Sequence, residues 1–311
     1  MLNSLPDNLK GTIILLLASI IWGSTFIPQK MAMDFWSPIQ FTAIRFLIGS
    51  LLLFLILPIF SLPKNINIKS LMSYGISLGI ILGIAALFQQ IGLVTTTATN
   101  AGFFTSLYII FVPIIGIFLG SVPHFSLWFA ILICLVGSVL LAIPTGNFVI
   151  EKINIGDIWV ISGSIFWALH VQILSFAVKK NPIIILAIIQ FFFASVALII
   201  MGLFFYLEEL SNFPKLTTNP IILGTLLYCS IGSVCLAFVL QMIGQKFSSP
   251  NQAAIVMSTE AIFAAFFGWL ILSELFNFRI LTGSALIFIG IIFSQIYSAQ
   301  KIKLPSVELE K

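Results

Sequence analysis

Ten apolar runs divide the chain, at 11–30, 37–59, 70–92, 98–119, 125–143, 156–178, 182–206, 220–244, 251–271 and 279–298. Each approaches the ~20 residues that a helix needs to cross a bilayer. Proline and glycine stand at the joints, at Pro38, Pro63, Pro123, Pro144–Gly146, Pro182, Pro214, Pro220 and Pro250. Backbone polar groups in lipid must be satisfied within the segment, so the runs are read as helices. The pattern predicts an all-α membrane protein with ten transmembrane helices, short loops, a polar leader at 2–10 and a charged tail at 300–311.

The runs repeat. Asn100–Val122 matches Asn251–Glu274 at an offset of 152, placing Ser106 opposite Ser258, Tyr108 opposite Glu260 and Gly116 opposite Gly268. Ser19-Ile20-Ile21-Trp22-Gly23 matches Ser164-Ile165-Phe166-Trp167-Ala168, and Arg45-Phe46 falls opposite Gln190-Phe191, with Ser50 opposite Ser195. Tyr74, Gln89 and Gly92 align with Tyr228, Gln241 and Gly244. Five runs per half is odd, so the second copy enters the membrane from the other face. The expected organisation is two inverted five-helix repeats, 1–144 and 145–299, then a cytoplasmic tail, 300–311. Such architecture lets one central site face either side in turn.

Composition strengthens this picture. The chain is 60% hydrophobic and 8% charged, with mean hydropathy +1.17, against roughly 25% charged residues in soluble domains. The net charge of +4 informs topology rather than nucleic-acid binding. One set of alternate loops and ends holds Lys10, Lys64, Lys69, Lys179, Lys180, Lys246, Lys301, Lys303 and Lys311; the other holds Lys30, Lys152, Lys215 and Arg279. This bias predicts cytoplasmic termini and a plasma membrane, such as the bacterial inner membrane. Trp22, Gln29 and Lys30 in the first run argue against a cleaved signal peptide. Cys134, Cys229 and Cys235 all fall in apolar runs without metal-ligand spacing and read as small buried hydrophobes.

Depth selects the candidate chemistry. At 1.5 Å per residue, Trp22 and Trp167 each lie ~16 Å into their runs, and Tyr108 and Glu260 ~13–15 Å into theirs. Thr25 and His170 follow one turn beyond the tryptophans. These six residues, near mid-membrane, are the candidate substrate-binding set. Glu260 is the one acid at that depth, placed to bind an amine or take a coupling proton, or else to serve as a hydrogen-bonded structural acid. His170 either relays protons and binds substrate or satisfies a neighbouring helix. The tryptophans suit the wall of a cavity that attracts a cation, or else they face lipid. Arg45, ~10 Å below the outer surface, reads as a structural charge that snorkels outward, with a substrate ligand or a Glu260 partner as the other reading. Gln89, Gln241, Asn100 and Gln252 count to positions near the surfaces and read as gate or helix-cap residues. Gly75, Gly79 and Gly83, four residues apart, read as a close-packing face.

No glycine-rich phosphate loop with lysine, no metal-spaced cluster and no converging Ser, His and Asp occur. No cofactor is expected, and the small-molecule partner would sit within the bilayer-embedded core. The oligomeric state is open, with a monomer sufficient.

WGSTF in the first run, RFLIGSLLL in the second, TATNAGFFTSLYIIFVPIIG in the fourth and STEAIFAAFFGWLILSE in the ninth resemble EamA-type members of the drug/metabolite transporter superfamily. The resemblance spans both halves. It implies a ten-helix inverted-repeat carrier with a central cavity, exporting small metabolites such as amino acids, and no enzymatic activity. Family members often carry proline after the mid-membrane acid of the ninth helix. Here that position is Ala261, which removes proline as a cause of a break, whereas the fourth run keeps Pro113. The rival readings are a membrane enzyme acting on lipid-linked substrates and a channel or sensor.

Overall fold

The computed structural model describes residues 5–121, 123–142, 155–205, 207–208, 219–274 and 277–303, and among them there is helix and no strand. The helices are α1 (Asp7–Ala32), α2 (Pro38–Ile56), α3 (Ile68–Thr95), α4 (Ala98–Ser106), α5 (Tyr108–Phe118), α6 (Phe125–Ala142), α7 (Ile155–Lys180), α8 (Ile183–Phe205), α9 (Pro220–Tyr228), α10 (Phe238–Phe247), α11 (Pro250–Met257), α12 (Glu260–Leu272) and α13 (Phe278–Lys303). Among the described residues, eight helical runs are long and apolar enough to cross a membrane. The fifth and tenth expected spans carry shorter apolar stretches, Phe125–Leu141 and Phe278–Ser294. α13 runs on to Lys303, so residues 300–303 of the expected tail are helical. The repeat boundary at 144/145, the loop carrying Lys152, the loop carrying Lys215 and the tail from 304 onward lie outside the described residues.

Short polar motifs start the helices. Ser37-Pro38 opens α2 and Ser249-Pro250 opens α11, and in both the serine accepts from the backbone of a glutamine three residues on, Gln40 or Gln252, which bonds back. These reciprocal caps satisfy amide groups that would otherwise lack partners. Asn67 caps α3 and Thr97 caps α4. Asn100 is the residue whose amide Thr97 receives, so it is capped rather than capping.

The fourth and ninth spans are both broken, at Leu107 and at Ser258–Thr259. The ninth span breaks with Ala261, not proline, after the acid, so the doubt that Ala261 cast on a break is resolved in favour of the break. Back-bonding hydroxyls, not prolines, stand at both breaks. Ser106 Oγ donates to the Phe103 carbonyl at 2.7 Å, and its repeat counterpart Ser258 donates to Ile255 at 2.8 Å. Thr259 does the same to Val256. The backbone there tightens to three-residue spacing, with Ile110 N bonding Leu107 O at 3.0 Å and Ala261 N bonding Ser258 O at 3.2 Å. Side chains that bond back in this way bend helices. A second irregularity was not anticipated: Cys229–Ala237, between α9 and α10, forms a π-helix, a wide turn that often marks functional positions.

Glycines set the closest approaches. A methyl group at Gly79 would lie 2.6 Å from the Gln190 carbonyl oxygen, and one at Gly75 would lie 2.4 Å from Ile189. α3 therefore lies directly against α8, as the spacing predicted. Gly49 of α2 meets Val234 of the wide turn in the same manner. The central core draws on both halves: Phe46 stacks on its repeat counterpart Phe191 at 6.0 Å, and Phe238 lies 6.2 Å from the first and 5.6 Å from the second. The three cysteines are free and buried.

Candidate functional site

The helix breaks and the aromatic core frame one cavity, with about 490 Å³ of empty space in part open to the outside. α1 contributes Trp22, Thr25, Phe26 and Gln29, and α2 contributes Arg45. Gln89, Thr105, Tyr108, Trp167 and Val171 continue the wall, and Ser233, Phe238, Gln241, Met257 and Glu260 complete it.

One side of the cavity is a polar chain. Arg45 Nη1 donates to Gln29 Oε1 at 2.5 Å, and Gln89 Nε2 reaches the same oxygen at 3.4 Å. Gln29 Nε2 donates to Thr25 Oγ1 at 3.3 Å. Gln89 Oε1 accepts from the Trp167 indole at 3.1 Å and from Thr105 at 3.3 Å. Five helices thereby meet in one network, and the indole of Trp167 has the partner that a buried indole requires. The Arg45 guanidinium also lies 5.5 Å from the Phe41 ring and 5.4 Å from the Phe46 ring, within cation–π range. Its Nε has no hydrogen-bond partner.

The other side carries the acid. Glu260 is the first residue of α12, and Tyr108, its repeat counterpart, is the first residue of α5. The amide groups at a helix start favour negative charge there. The Tyr108 hydroxyl faces the Glu260 carboxyl, and neither that hydroxyl nor Glu260 Oε1 has any other side-chain or backbone partner. Gln241 Oε1 is unpartnered. Between the two sides stand aromatic rings, with Trp22 edge-on to Phe238 at 5.0 Å and Trp167 stacked on Phe238 at 5.9 Å.

Arg45 and Glu260 are only 3% and 4% exposed, and no ion pair joins them among the described residues. Among those residues there is also no group of three His, Cys, Asp or Glu side chains placed to hold a metal.

The EamA-like transporter family matches residues 9–143 and again residues 154–295. The chain belongs to this family. Two proteins of Archaeoglobus fulgidus, each described as an uncharacterized transporter, are similar to it. One is 30% identical over 89% of this chain and 83% of its own length; the other is 26% identical over 91% and 96%. A protein of known crystal structure shares the fold, with a TM-score of 0.71 and 17% identity over 95% of this chain and 99% of that one. DMT-superfamily membership follows from the EamA match.

Of the six central candidates, the fold brings Trp22, Thr25, Tyr108, Trp167 and Glu260 to this EamA cavity. His170 is buried behind the wall and bonds Gln190 Oε1 at 3.2 Å. Three placements are corrected. Arg45 does not snorkel outward; the phenylalanines and Gln29 hold it inward. Gln89 and Gln241 line the cavity rather than a surface gate, because α3 and the Pro220–Phe247 span that carry them are each 28 residues long. At ~42 Å such a helix overshoots the ~30 Å core, so depth counted from its start is overestimated. Asn100 and Gln252 stay at helix starts, away from the cavity. Gln29, Thr105, Ser233 and Phe238 were not anticipated. Gln29 was detectable, since Trp22, Thr25 and Gln29 recur at the three- and four-residue spacing of one helix face.

Proposed function

We propose that the protein is a secondary carrier for small zwitterionic metabolites, such as amino acids, working by alternating access. The observation that carries this reading is one partly open cavity holding Arg45 and Glu260 on separate sides, with no ion pair between them and neither facing an opposite charge among the described residues. A buried unpaired charge is costly, and a ligand of opposite charge offsets that cost. A carboxylate fits Arg45 and an amine fits Glu260, with Trp22, Trp167 and Phe238 against the apolar part. A proton takes the place of the amine when the cavity returns empty, which couples export to an inward proton gradient. The ten apolar runs, their repeat and the lysine bias support ten crossings as two inverted five-helix repeats in the plasma membrane, with both termini in the cytoplasm. The cavity lacks the converging groups a hydrolase needs, which favours a carrier over an enzyme.

Counterflow in proteoliposomes tests the reading, with L-amino acids, nucleosides and organic cations as separate probes. Saturable counterflow of amino acids, lost in Arg45→Ala, is expected. Transport confined to cations, or unaffected by Arg45→Ala, would overturn the zwitterion assignment. Linear, non-saturating flux would favour a channel. A reporter fused after Lys311 should behave as cytoplasmic, and external labelling of it in intact cells would refute the topology.

A further inference from the structure

The two halves present the same polar positions differently. In the first half, Thr25 and Arg45 line the cavity, linked through Gln29. Their repeat counterparts, His170 and Gln190, are bonded to each other and fully buried. Only a ring's thickness hides them: His170 packs edge-on against Trp167 and Phe238, both of which line the cavity, at centroid distances of 6.2 Å. The seal is completed by α3, whose Gly79 lies directly on the Gln190 backbone.

Two buried groups on the sealed side lack partners that their environment ought to supply. His170 Nδ1 has none, and neither has the Ser195 hydroxyl. Ser50, the counterpart of Ser195, donates to the Ile188 carbonyl at 2.9 Å. The repeat relation maps Ile188 onto Ala43, so an exchange of conformations between the halves would give Ser195 the Ala43 carbonyl and release Ser50. Unsatisfied buried polar groups are rare and call for a reason. Groups that find partners in a second conformation supply one.

We infer that His170 and Gln190 form a second binding position for the anionic group of the carried solute, exposed when the cavity faces the other side of the membrane. The inference rests on the alternating-access reading above. In the state described here, Arg45 holds the anionic group by charge. In the other state, the α3–α8 seam opens, and a neutral imidazole and amide take the group over by hydrogen bonds. Arg45 adds the attraction of a full positive charge that an imidazole and an amide without charge do not, so the two states bind the solute unequally and release is favoured from the His170 side.

The test measures conformation without requiring a known solute. Arg45→Cys, His170→Cys and Gln190→Cys are made singly, after replacing Cys134, Cys229 and Cys235 by alanine. The full-length chains in proteoliposomes are treated with a small methanethiosulfonate. Arg45→Cys should react at least about tenfold faster than His170→Cys or Gln190→Cys, a factor that follows from a minor state populated at about a tenth or less. Adding Gly79→Leu, which pushes α3 off α8, should reverse that order. Gly75→Leu presses chiefly on the Ile189 side chain, with the Gln190 backbone at ordinary contact distance, and serves as the milder variant should Gly79→Leu fail to reach the membrane. If positions 170 and 190 stay unreactive in every seam variant that inserts, or react as fast as position 45 in the parent, the inference is wrong. Saturable counterflow by the same parent would leave the carrier reading standing in that case.

Discussion

The two broken spans, Ala98–Phe118 and Pro250–Leu272, are built to one plan and differ in what they place at the break. Both bend where a serine bonds back to a carbonyl three residues earlier, and both begin their second half-helix in the cavity wall. One starts with Tyr108, the other with Glu260. The first keeps Pro113 yet does not break there; the second has no proline and breaks all the same. The repeat thus conserves the geometry of the bend, and a single residue after it decides whether that geometry serves a hydroxyl or a charge.

The largest expected effect breaks that difference. Glu260→Gln should lower pH-gradient-driven accumulation by about a hundredfold, on the order of 2.7 kcal/mol, whereas Tyr108→Phe should cost less than about fivefold. Gradient-driven uptake and solute exchange are measured on the same vesicles. Parental rates in both assays for the Gln variant would leave Glu260 merely structural.

Next comes the contact between the spans. A side chain at Gly102 would press within 2.6 Å of Ala264, so Gly102→Leu should destabilise by about 1–3 kcal/mol through overpacking. Thermal unfolding in detergent reports this, and an unchanged midpoint would mean the spans part easily there. Smaller still, Ser106→Ala and Ser258→Ala should each cost about 0.5–1.5 kcal/mol with similar loss of transport. Pro113→Ala should leave the bend intact. A larger effect from the proline than from the serines would show that the bend had been assigned to the wrong residues.

The smallest effect concerns the end of the pair where α4 starts and α12 stops. The Thr99 hydroxyl donates to the Glu274 carboxylate, tying the start of α4 to the end of α12. Glu274 follows Ser273, whose backbone is left-handed at φ 56°. Glu274→Gln keeps an acceptor for the half-buried Thr99 hydroxyl and should cost no more than about 1 kcal/mol. Ser273→Gly should be neutral or slightly stabilising, because glycine adopts that backbone freely. A marked loss of transport in Glu274→Gln without loss of stability would instead make the pair part of a gate.

Helix positions were legible because apolar length is a strong signal in lipid. Trp22, Tyr108, Trp167 and Glu260 were legible because depth alone separates mid-span residues from the rest. Depth says nothing of direction around the helix, which is why His170, one turn from Trp167, was placed in the cavity it only backs. Counting from helix starts also assumes upright helices of matched length, and that assumption misplaced Gln89 and Gln241. Arg45 escaped because the rule that long cations reach for the surface ignores what Gln29, Phe41 and Phe46 offer inside. The bend at Ser258 and the wide turn at Cys229–Ala237 depend on hydrogen bonds among neighbours, which leave no trace in hydropathy.

The close fit of α3 on α8 has a consequence for biosynthesis. Gly75, Gly79 and Gly83 all face residues of α8, and Phe46 stacks on Phe191, so the first half lacks its main packing partner when it leaves the ribosome. α8 ends at Phe205, roughly a hundred residues after α3, a delay of ~5–20 s at the ~5–20 residues/s of translation. During that interval the glycine face of α3 meets lipid or whatever chaperone the insertion machinery supplies. A truncated chain ending before α8 should therefore be a substrate for quality-control proteolysis rather than a stable half-transporter.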